Sequence, residues 1–248
     1  DYYLVSCGSF AVALTVADNS YMGLDSISLL DFKVPWEHTN SLISAFTFGK
    51  KKLPSSSASG NVRTKGKGRY INFINNGTER ILEFHMDNFC DKKAIDGKIT
   101  LTCPADESMV IAIPFAEKKT AFYYNQKINC MPAAGFVAFG GRTYDFPVGT
   151  SFGTLDWGRG VWPYKSTWYW ASASGLAPDG KRLGWNIGCG FGDTSAASEN
   201  MIFYDGKAHK LSRVNFHIPM KHKIYVTAAA AVLPPEDVPK RWTSSKIT

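Results

Sequence analysis

Residues 75–84 read NNGTERILEF, in which an Asn-Gly pair (Asn76, Gly77) precedes a short apolar run. Asn-Gly and Asp-Gly supply the positive φ angles that two-residue hairpin turns require. Three Asp-Gly pairs, at 96–97, 179–180 and 205–206, lie beside similar runs and predict further hairpins. No window carries apolar residues at the i, i+3, i+4, i+7 spacing of a core helix. The chain is therefore predicted to be all-β and antiparallel, with little helix.

Two regions differ in composition and predict two β units. Residues 1–145 read as an ordinary meander, whereas residues 146–248 begin with a segment dense in Gly, Trp, Asp and Asn. Many short strands with turns between them are typical of barrels and sandwiches. The alanine-rich run Thr227–Val232 follows β-branched and aromatic residues and has no N-cap, so we interpret it as a strand.

The positive charge lies in one stretch of the chain. The formal net charge is +7, yet residues 49–69 hold seven basic and no acidic residues, and the rest of the chain holds 21 of each sign. The stretch is rich in Ser and Gly, and no aromatic residue is interleaved with its lysines, unlike in single-strand nucleic-acid binders. We predict an exposed hairpin tip without a structural partner, and no nucleic-acid binding.

The cysteines and the apolar runs indicate a soluble cytoplasmic protein. The five cysteines are odd in number and form no Cys-x-x-Cys pair, which argues against a disulfide framework and a zinc site. No apolar run approaches the roughly 20 residues of a membrane helix, so no integral membrane segment is expected. The histidines show no paired-ligand spacing and no cofactor motif is present, so we expect neither metal nor cofactor.

One predicted strand has a row of glycines on a single face. In LGWNIGCGFG, residues 183–192, alternation places the four glycines and Asn186 on one face and the apolar side chains on the other. Such a row marks either a sharp bend or a surface that a ligand or another backbone approaches closely. Both interpretations remain open.

Four of the seven tryptophans lie between residues 157 and 170, close to Asp156 and Arg159. We interpret residues 156–164 as a turn between two strands, which would bring Asp156 and Arg159 together on the wall of an aromatic pocket. The alternative is a buried salt bridge between these two residues that supports packed tryptophans. The candidate catalytic residues are Asp156, Arg159 and Glu199. The candidate ligand-binding residues are Trp157, Trp162, Tyr164, Trp168, Trp170, Asn186, Asp193 and Asn200.

Four blocks in this region carry a resemblance to a known family: FGTLDWGRGVWPY (152–164), WYWASASG (168–175), NIGCGFGDTSAASEN (186–200) and YDGKAHKL (204–211). In this order they resemble a bacterial family of domains of unknown function, DUF2804. The resemblance implies a longer natural chain and a second unit that is incomplete at its C-terminal end. The family has no established activity that the resemblance could imply for this chain.

More distantly, the chain resembles the lipocalin-related superfamily of carotenoid hydratases. That resemblance implies paired lipocalin-like barrel or sandwich units that bind long apolar ligands. The superfamily has an Asp-x-Glu-Trp block where this chain has Asp156-Trp157-Gly158-Arg159. Of the residues in that block, only the aspartate has a counterpart in this chain, Asp156.

Three functions are compatible with these residues. The first is a cofactor-free hydratase or isomerase acting on an apolar, lipid- or isoprenoid-like molecule, with Asp156 or Glu199 as proton donor. The second is non-catalytic binding of the same class of ligand. The third is a carbohydrate-active β-sandwich. It is the least favoured, because no strand presents the two closely spaced carboxylates that many such enzymes use. The sequence does not separate enzyme from binding protein, and it gives no oligomeric state.

Overall fold

Strands are the regular elements of residues 1–195, 197–212 and 214–216, the part of the chain that the computed structural model describes. They are β1 Tyr2–Ser6, β2 Phe10–Asp18, β3 Met22–Asp31, β4 Trp36–Ala45, β5 Val62–Gly66, β6 Arg69–Asn75, β7 Glu79–Cys90, β8 Lys93–Thr102, β9 Met109–Phe115, β10 Lys118–Phe139, β11 Arg142–Phe146, β12 Phe152–Val161, β13 Tyr169–Leu176, β14 Arg182–Cys189, β15 Met201–Tyr204 and β16 Lys207–Lys210. The predicted antiparallel all-β class is confirmed. None of the described residues belongs to a helix that could cross a membrane.

Three of the four predicted hairpin turns are confirmed, and the fourth is wrong. Gly77, Gly180 and Gly206 have φ angles of 95°, 79° and 81° and lie between paired strands. Asp96-Gly97 instead lies inside β8, because the hairpin before it turns at residues 91–92, which both have positive φ. At Gly97 the missing side chain leaves room for the Phe84 ring on β7.

A large sheet of twelve strands encloses the core. Its hydrogen-bonded order is β4-β3-β2-β1-β12-β10-β8-β7-β6-β5, and β9 and β11 pair with β10. The sheet curls until Asn40 on β4 donates to the carbonyl oxygens of Asn88 and Phe89, at 3.2 and 3.1 Å. Leu14 and Phe84, from opposite arms, are fully buried in the same core. No ladder joins β4 to β5 among the described strands, so the curl is an open sandwich rather than a closed barrel.

A second sheet, β13-β14-β15-β16, packs on the outer face of β10 and β12. The interface between the sheets is apolar where β9 packs on Phe203 and polar where β10 and β12 face β13. Asn129 Nδ2 donates to Ser172 Oγ at 2.9 Å, and the Thr154 and Ser174 hydroxyls are 2.9 Å apart. β12 therefore has one face in the apolar core and one face against the small sheet.

The division of the chain at residues 145 and 146 stays a prediction. β12 pairs with both β1 and β10 and so belongs to the large sheet, whereas β13 to β16 form a sheet of their own. The expected strand Thr227–Val232 and the C-terminal end of the second unit lie outside the described residues.

The basic stretch is docked, so the prediction that it has no structural partner is wrong. Lys51 Nζ lies 2.5 Å from Asp25 Oδ1, with side chains only 11% and 5% exposed. Arg69 reaches the same carboxylate at 3.7 Å. Ser57 is buried, and its carbonyl oxygen accepts a hydrogen bond from Arg80 at 2.7 Å. The physical reason is Asp25 on β3, a buried carboxylate that requires a cation to compensate its charge.

Replacing Lys51 by Ser is expected to destabilise the protein, because Asp25 would keep only the more distant Arg69 as a compensating charge. We expect a loss of about 1–3 kcal/mol in the free energy of unfolding, the range for hydrogen bonds to charged groups. The neighbouring exposed lysines supply the controls, Lys50→Ser and Lys52→Ser. Thermal melts that are identical for all three variants would contradict the docking of Lys51.

Candidate functional site

Strand β10 has three buried polar side chains at alternate positions. Asn125, Lys127 and Asn129 are 0%, 2% and 5% exposed. Residues i, i+2 and i+4 of a strand share a face, and the small sheet covers this one. A buried ammonium is tolerated only where carboxylates and hydrogen bonds compensate it. The buried ammonium of Lys127 therefore requires carboxylates close to it.

Two of the predicted catalytic residues supply those acids. Asp156 lies opposite Lys127 in the β10–β12 register, and its Oδ2 bonds Lys127 Nζ. Glu199, on the connection between β14 and β15, places its Oε2 3.4 Å from the same Nζ. The Asp156 side chain is 22% exposed and that of Glu199 is 8% exposed. We call Lys127, Asp156 and Glu199 the ionic cluster; one ammonium and two carboxylates give it a formal charge of minus one.

Amide side chains orient the two carboxylates. Asn125 Nδ2 donates to Asp156 Oδ1 at 2.6 Å. Asn186 Nδ2 donates to the Glu199 carbonyl oxygen at 2.8 Å and to its Oε2 at 3.2 Å. Trp170 Nε1 donates to Asn186 Oδ1 at 2.8 Å, and Lys127 Nζ lies 4.7 Å from the centre of the Trp170 ring. Each carboxylate thus has an amide donor in addition to the ammonium.

The glycine face of β14 is the surface that admits Glu199. Gly184, Asn186 and Gly188 are buried toward the large sheet, while the apolar face of the strand is only half-buried. A Cβ atom at Gly188 would lie 2.1 Å from Glu199 Oε1. At Gly188 the approaching group is therefore a side chain of the protein itself rather than a ligand or another backbone. Gly190 and Gly192 lie beyond the end of β14 with φ angles of 87° and 78°, so this part of the glycine row marks a bend.

Two tyrosines beside the ionic cluster stay protonated. Burial raises the pKa of Tyr123 far above its usual value, and the negative charges of Asp156 and Glu199 raise it further. Burial also raises the pKa of Tyr2 to about 12, with Asp156 adding to the effect. Near neutral pH both phenols are therefore hydrogen-bond donors rather than phenolates.

An aromatic cluster connects this region to solvent. The Tyr123 ring packs edge-to-face on Phe191 at 4.6 Å and on Trp162 at 6.4 Å. Trp168 contacts Phe191 at 5.0 Å. Trp162 and Trp168 are 39% and 52% exposed. These four residues, which we call the aromatic cluster, give an accessible apolar surface next to buried charges.

A small cavity lies beside β12, and none of Lys127, Asp156 and Glu199 lines it. It has a volume of about 30 Å³ and lies between the large sheet and β13. Its lining includes Thr154, two residues before Asp156 on the same face of β12, together with Ser172 and Ser174. This volume suits water rather than a lipid chain.

The expected proximity of Asp156 and Arg159 is wrong. Residues 152–161 form the continuous strand β12 rather than a turn. Side chains three positions apart in a strand point to opposite faces, so Arg159 is exposed and Asp156 pairs with Lys127 instead.

The other predicted site residues divide into two groups. Trp170 and Asn186 lie at the ionic cluster, and Asn200 Oδ1 accepts a hydrogen bond from the backbone of Gly188 at 2.8 Å. The structure does not bring the remaining ones to the carboxylates: Trp157 is 3% exposed in the core, Trp162 and Trp168 belong to the aromatic cluster, Tyr164 is 96% exposed, and Asp193 accepts a hydrogen bond from Ser195 in a local turn.

Sequence reasoning missed Lys127, Asn125 and Tyr123. A signal was present: residues 125–129 read NQKIN, with polar side chains at alternate positions i, i+2 and i+4. The pattern is ambiguous because Gln126 is polar on the opposite face. Only the covering sheet shows which face is buried. As for metals, the described residues contain no group of three or more His, Cys, Asp or Glu arranged to hold an ion.

Comparison with known proteins identifies the family. No curated protein sequence matches the chain. Among solved structures, kievitone hydratase from Nectria haematococca is similar with a TM-score of 0.45 and 10% identity, over 84% of this chain. The match spans 62% of that structure's chain. The family model of DUF2804, a domain of unknown function, matches residues 1–243. Since this match covers most of the sequence, the chain belongs to the DUF2804 family.

Proposed function

We propose that this protein is a cofactor-free hydratase or isomerase that acts on an apolar, lipid- or isoprenoid-like molecule at the ionic cluster. The observation that carries the proposal is a buried ammonium held between two carboxylates, next to an accessible aromatic surface. Buried ions are costly and concentrate at functional sites. Asp156, the most exposed of the three charged groups, is the one that a substrate would meet. The free thiols of the five cysteines support a cytoplasmic location.

The chemistry requires one proton donor and one acceptor, and the ionic cluster supplies both. Asp156 receives a proton from Lys127 along their hydrogen bond and passes it to one carbon of a double bond. Water adds to the other carbon, and the proton that it releases returns through Asp156 to Lys127. The net change is the addition of one water molecule. In an isomerisation, a substrate carbon releases that proton instead, and no water is consumed.

The aromatic cluster has a separate role in the proposal. Trp162 and Trp168 provide a surface for the apolar part of the substrate, and ring faces stabilise developing positive charge. Tyr123 has its ring in the aromatic cluster and a protonated phenol near the ionic cluster. It would orient the attacking water or a polar group of the substrate.

The test is the Asp156→Asn variant. Two carboxylates face one ammonium, so after this change Glu199 still compensates Lys127, and we expect the protein to fold with only a small loss of stability. Proton transfer through residue 156 would be lost, with a fall in rate of roughly 10²–10⁴-fold. The assay incubates the protein with long-chain and isoprenoid alkenes in heavy water and measures deuterium uptake by mass spectrometry. It detects both hydration and isomerisation.

The matched control is Arg159→Gln, on the opposite face of the same strand, which we expect to retain full deuterium uptake. Wild-type protein that produces no deuterium uptake from any alkene of the panel would contradict the enzymatic proposal. So would uptake that Asp156→Asn leaves unchanged.

A second candidate is non-catalytic binding of the same ligands on the aromatic cluster, with the ionic cluster acting only to hold the two sheets together. The accessible rings of Trp162 and Trp168 favour it, because they offer an apolar surface outside the ionic cluster. In that case Asp156→Asn would leave the affinity of the protein for an apolar fluorescent ligand unchanged, and wild-type protein would produce no deuterium uptake. Trp168→Ala would abolish that affinity.

A further inference from the structure

The loop after β4 exposes two phenylalanines and buries the threonine between them. Phe46 and Phe48 are 63% and 65% exposed, whereas Thr47 is 8% exposed. The two rings stack with centroids 5.8 Å apart and planes at 20°. Tyr21, whose carbonyl oxygen accepts a hydrogen bond from the Phe46 backbone at 2.8 Å, is 60% exposed. We call Tyr21, Phe46 and Phe48 the aromatic knuckle.

A hydrogen-bond network centred on Asp18 fixes this orientation. Thr47 Oγ1 donates to Asp18 Oδ1 at 2.6 Å. The backbone N–H groups of Gly49 and Lys51 donate to the same carboxylate at 3.3 and 3.2 Å. These hydrogen bonds to Asp18 anchor the loop to the sheet, and the two phenylalanines point away from the protein.

The backbone of the aromatic knuckle is strained. Phe46 and Phe48 have φ angles of 54° and 47°, in the left-handed region that bulky side chains rarely adopt. Asn or Gly would occupy such positions at lower cost. Strain of this kind, observed together with exposed apolar area at the same residues, indicates a functional surface rather than a requirement of folding.

Exposed lysines lie next to the aromatic knuckle. Lys50 and Lys52 follow it directly and are exposed. Lys51 and Arg69 both reach Asp25, so the turn between β5 and β6, with the exposed Lys67, lies at the same end of the sheet. Among residues 49–69 there is no acid.

We propose that the aromatic knuckle and the adjoining lysines dock this protein on the surface of an anionic membrane. Exposed aromatic side chains with lysines beside them match the boundary between acyl chains and lipid headgroups. Anionic lipids attract such lysines. A single-stranded nucleic acid would require separate aromatic faces on which successive bases stack, whereas Phe46 and Phe48 stack on each other. The proposal does not depend on the ionic cluster, which shares no residue with this surface.

Co-sedimentation with lipid vesicles tests the proposal. At low salt we expect the protein to bind phosphatidylcholine vesicles that contain roughly one-third phosphatidylserine about tenfold more strongly than pure phosphatidylcholine vesicles. The double variant Phe46→Asn with Phe48→Asn should keep or raise the melting temperature, because asparagine tolerates the left-handed region. Its vesicle binding should fall at least about tenfold.

Two further double variants complete the test. Lys50→Ser with Lys52→Ser should weaken binding several-fold at low salt, and the difference should disappear at high salt because ions screen exposed charges. Val34→Ser with Val148→Ser removes two apolar side chains that are 65% and 83% exposed elsewhere, and it should bind vesicles like the wild type.

Three results would overturn the proposal. One is equal binding to neutral and anionic vesicles, or to neither. Another is unchanged vesicle binding by the asparagine variant. The third is a single-stranded oligonucleotide or a second copy of the chain that binds through the aromatic knuckle in preference to vesicles, as measured by competition and by size-exclusion chromatography.

Discussion

Replacement of Lys127 by Met is expected to lower the free energy of unfolding by about 3–5 kcal/mol, the usual effect of removing one partner from a buried ion pair. Asp156 and Glu199 would then face each other without the ammonium that both now contact. For a chain of this size, such a loss lowers the melting temperature by roughly 6–20 °C. Thermal and urea denaturation measure it.

Two comparisons make the Lys127 result specific. Lys118→Met removes an exposed lysine from the same strand and should change stability by no more than about 0.5 kcal/mol. Adding Glu199→Gln to Lys127→Met should restore part of the loss, because only one stranded carboxylate remains. Stability that is insensitive to Lys127→Met would mean that the ammonium is not held between the two acids.

Replacement of Gly135 by Ala is expected to destabilise the large sheet strongly. Gly135 has a φ of 140°, and a Cβ atom there would lie 2.2 Å from the Lys98 carbonyl oxygen and 2.7 Å from Ile99 Cα. Both atoms belong to the backbone of β8, which pairs with β10 at this point. The clash cannot be relieved by rotating a side chain. We expect a loss of roughly 3 kcal/mol or more, because backbone strain and overpacking each cost about 1–3 kcal/mol.

Gly175→Ala is the matched control, since Gly175 also lies in a strand but has no atom within 4 Å of the place where an added Cβ would lie. It should alter stability by about 0.5 kcal/mol at most. Equal melting temperatures for Gly135→Ala and Gly175→Ala would refute the close approach of β10 and β8 at Gly135.

The turns show which features of this fold the local sequence determines. Asn76-Gly77, Asp179-Gly180 and Asp205-Gly206 form hairpins because their positive φ angles are set by the residues themselves. Asp96-Gly97 carries the same dipeptide and lies in a strand, because Phe84 on the neighbouring strand occupies the space above Gly97. A dipeptide predicts a turn only where no partner strand competes for it.

The candidate site also combines residues that the sequence indicates with a residue that only the packing reveals. Asp156, Glu199, Trp170 and Asn186 were recognisable by residue type in an unusual segment, and the structure brings them together. Lys127 was not recognisable, because a lysine at an alternate position of a strand is usually exposed. Its burial results from the small sheet packing on β10, a contact between segments more than forty residues apart.

The sequence by itself determined the all-β class, the antiparallel pairing at three hairpins and the segment that carries the carboxylates, because these depend on local φ preferences and alternation. Tertiary structure alone decided which face of each strand is buried. That choice separates Asp156 from Arg159 and joins it to Lys127. In the loop after β4, contacts with distant residues likewise turn Lys51 inward to Asp25 and leave Phe46 and Phe48 exposed. The physical reason is that a strand offers two equivalent faces, and only packing against distant strands determines which one loses contact with water.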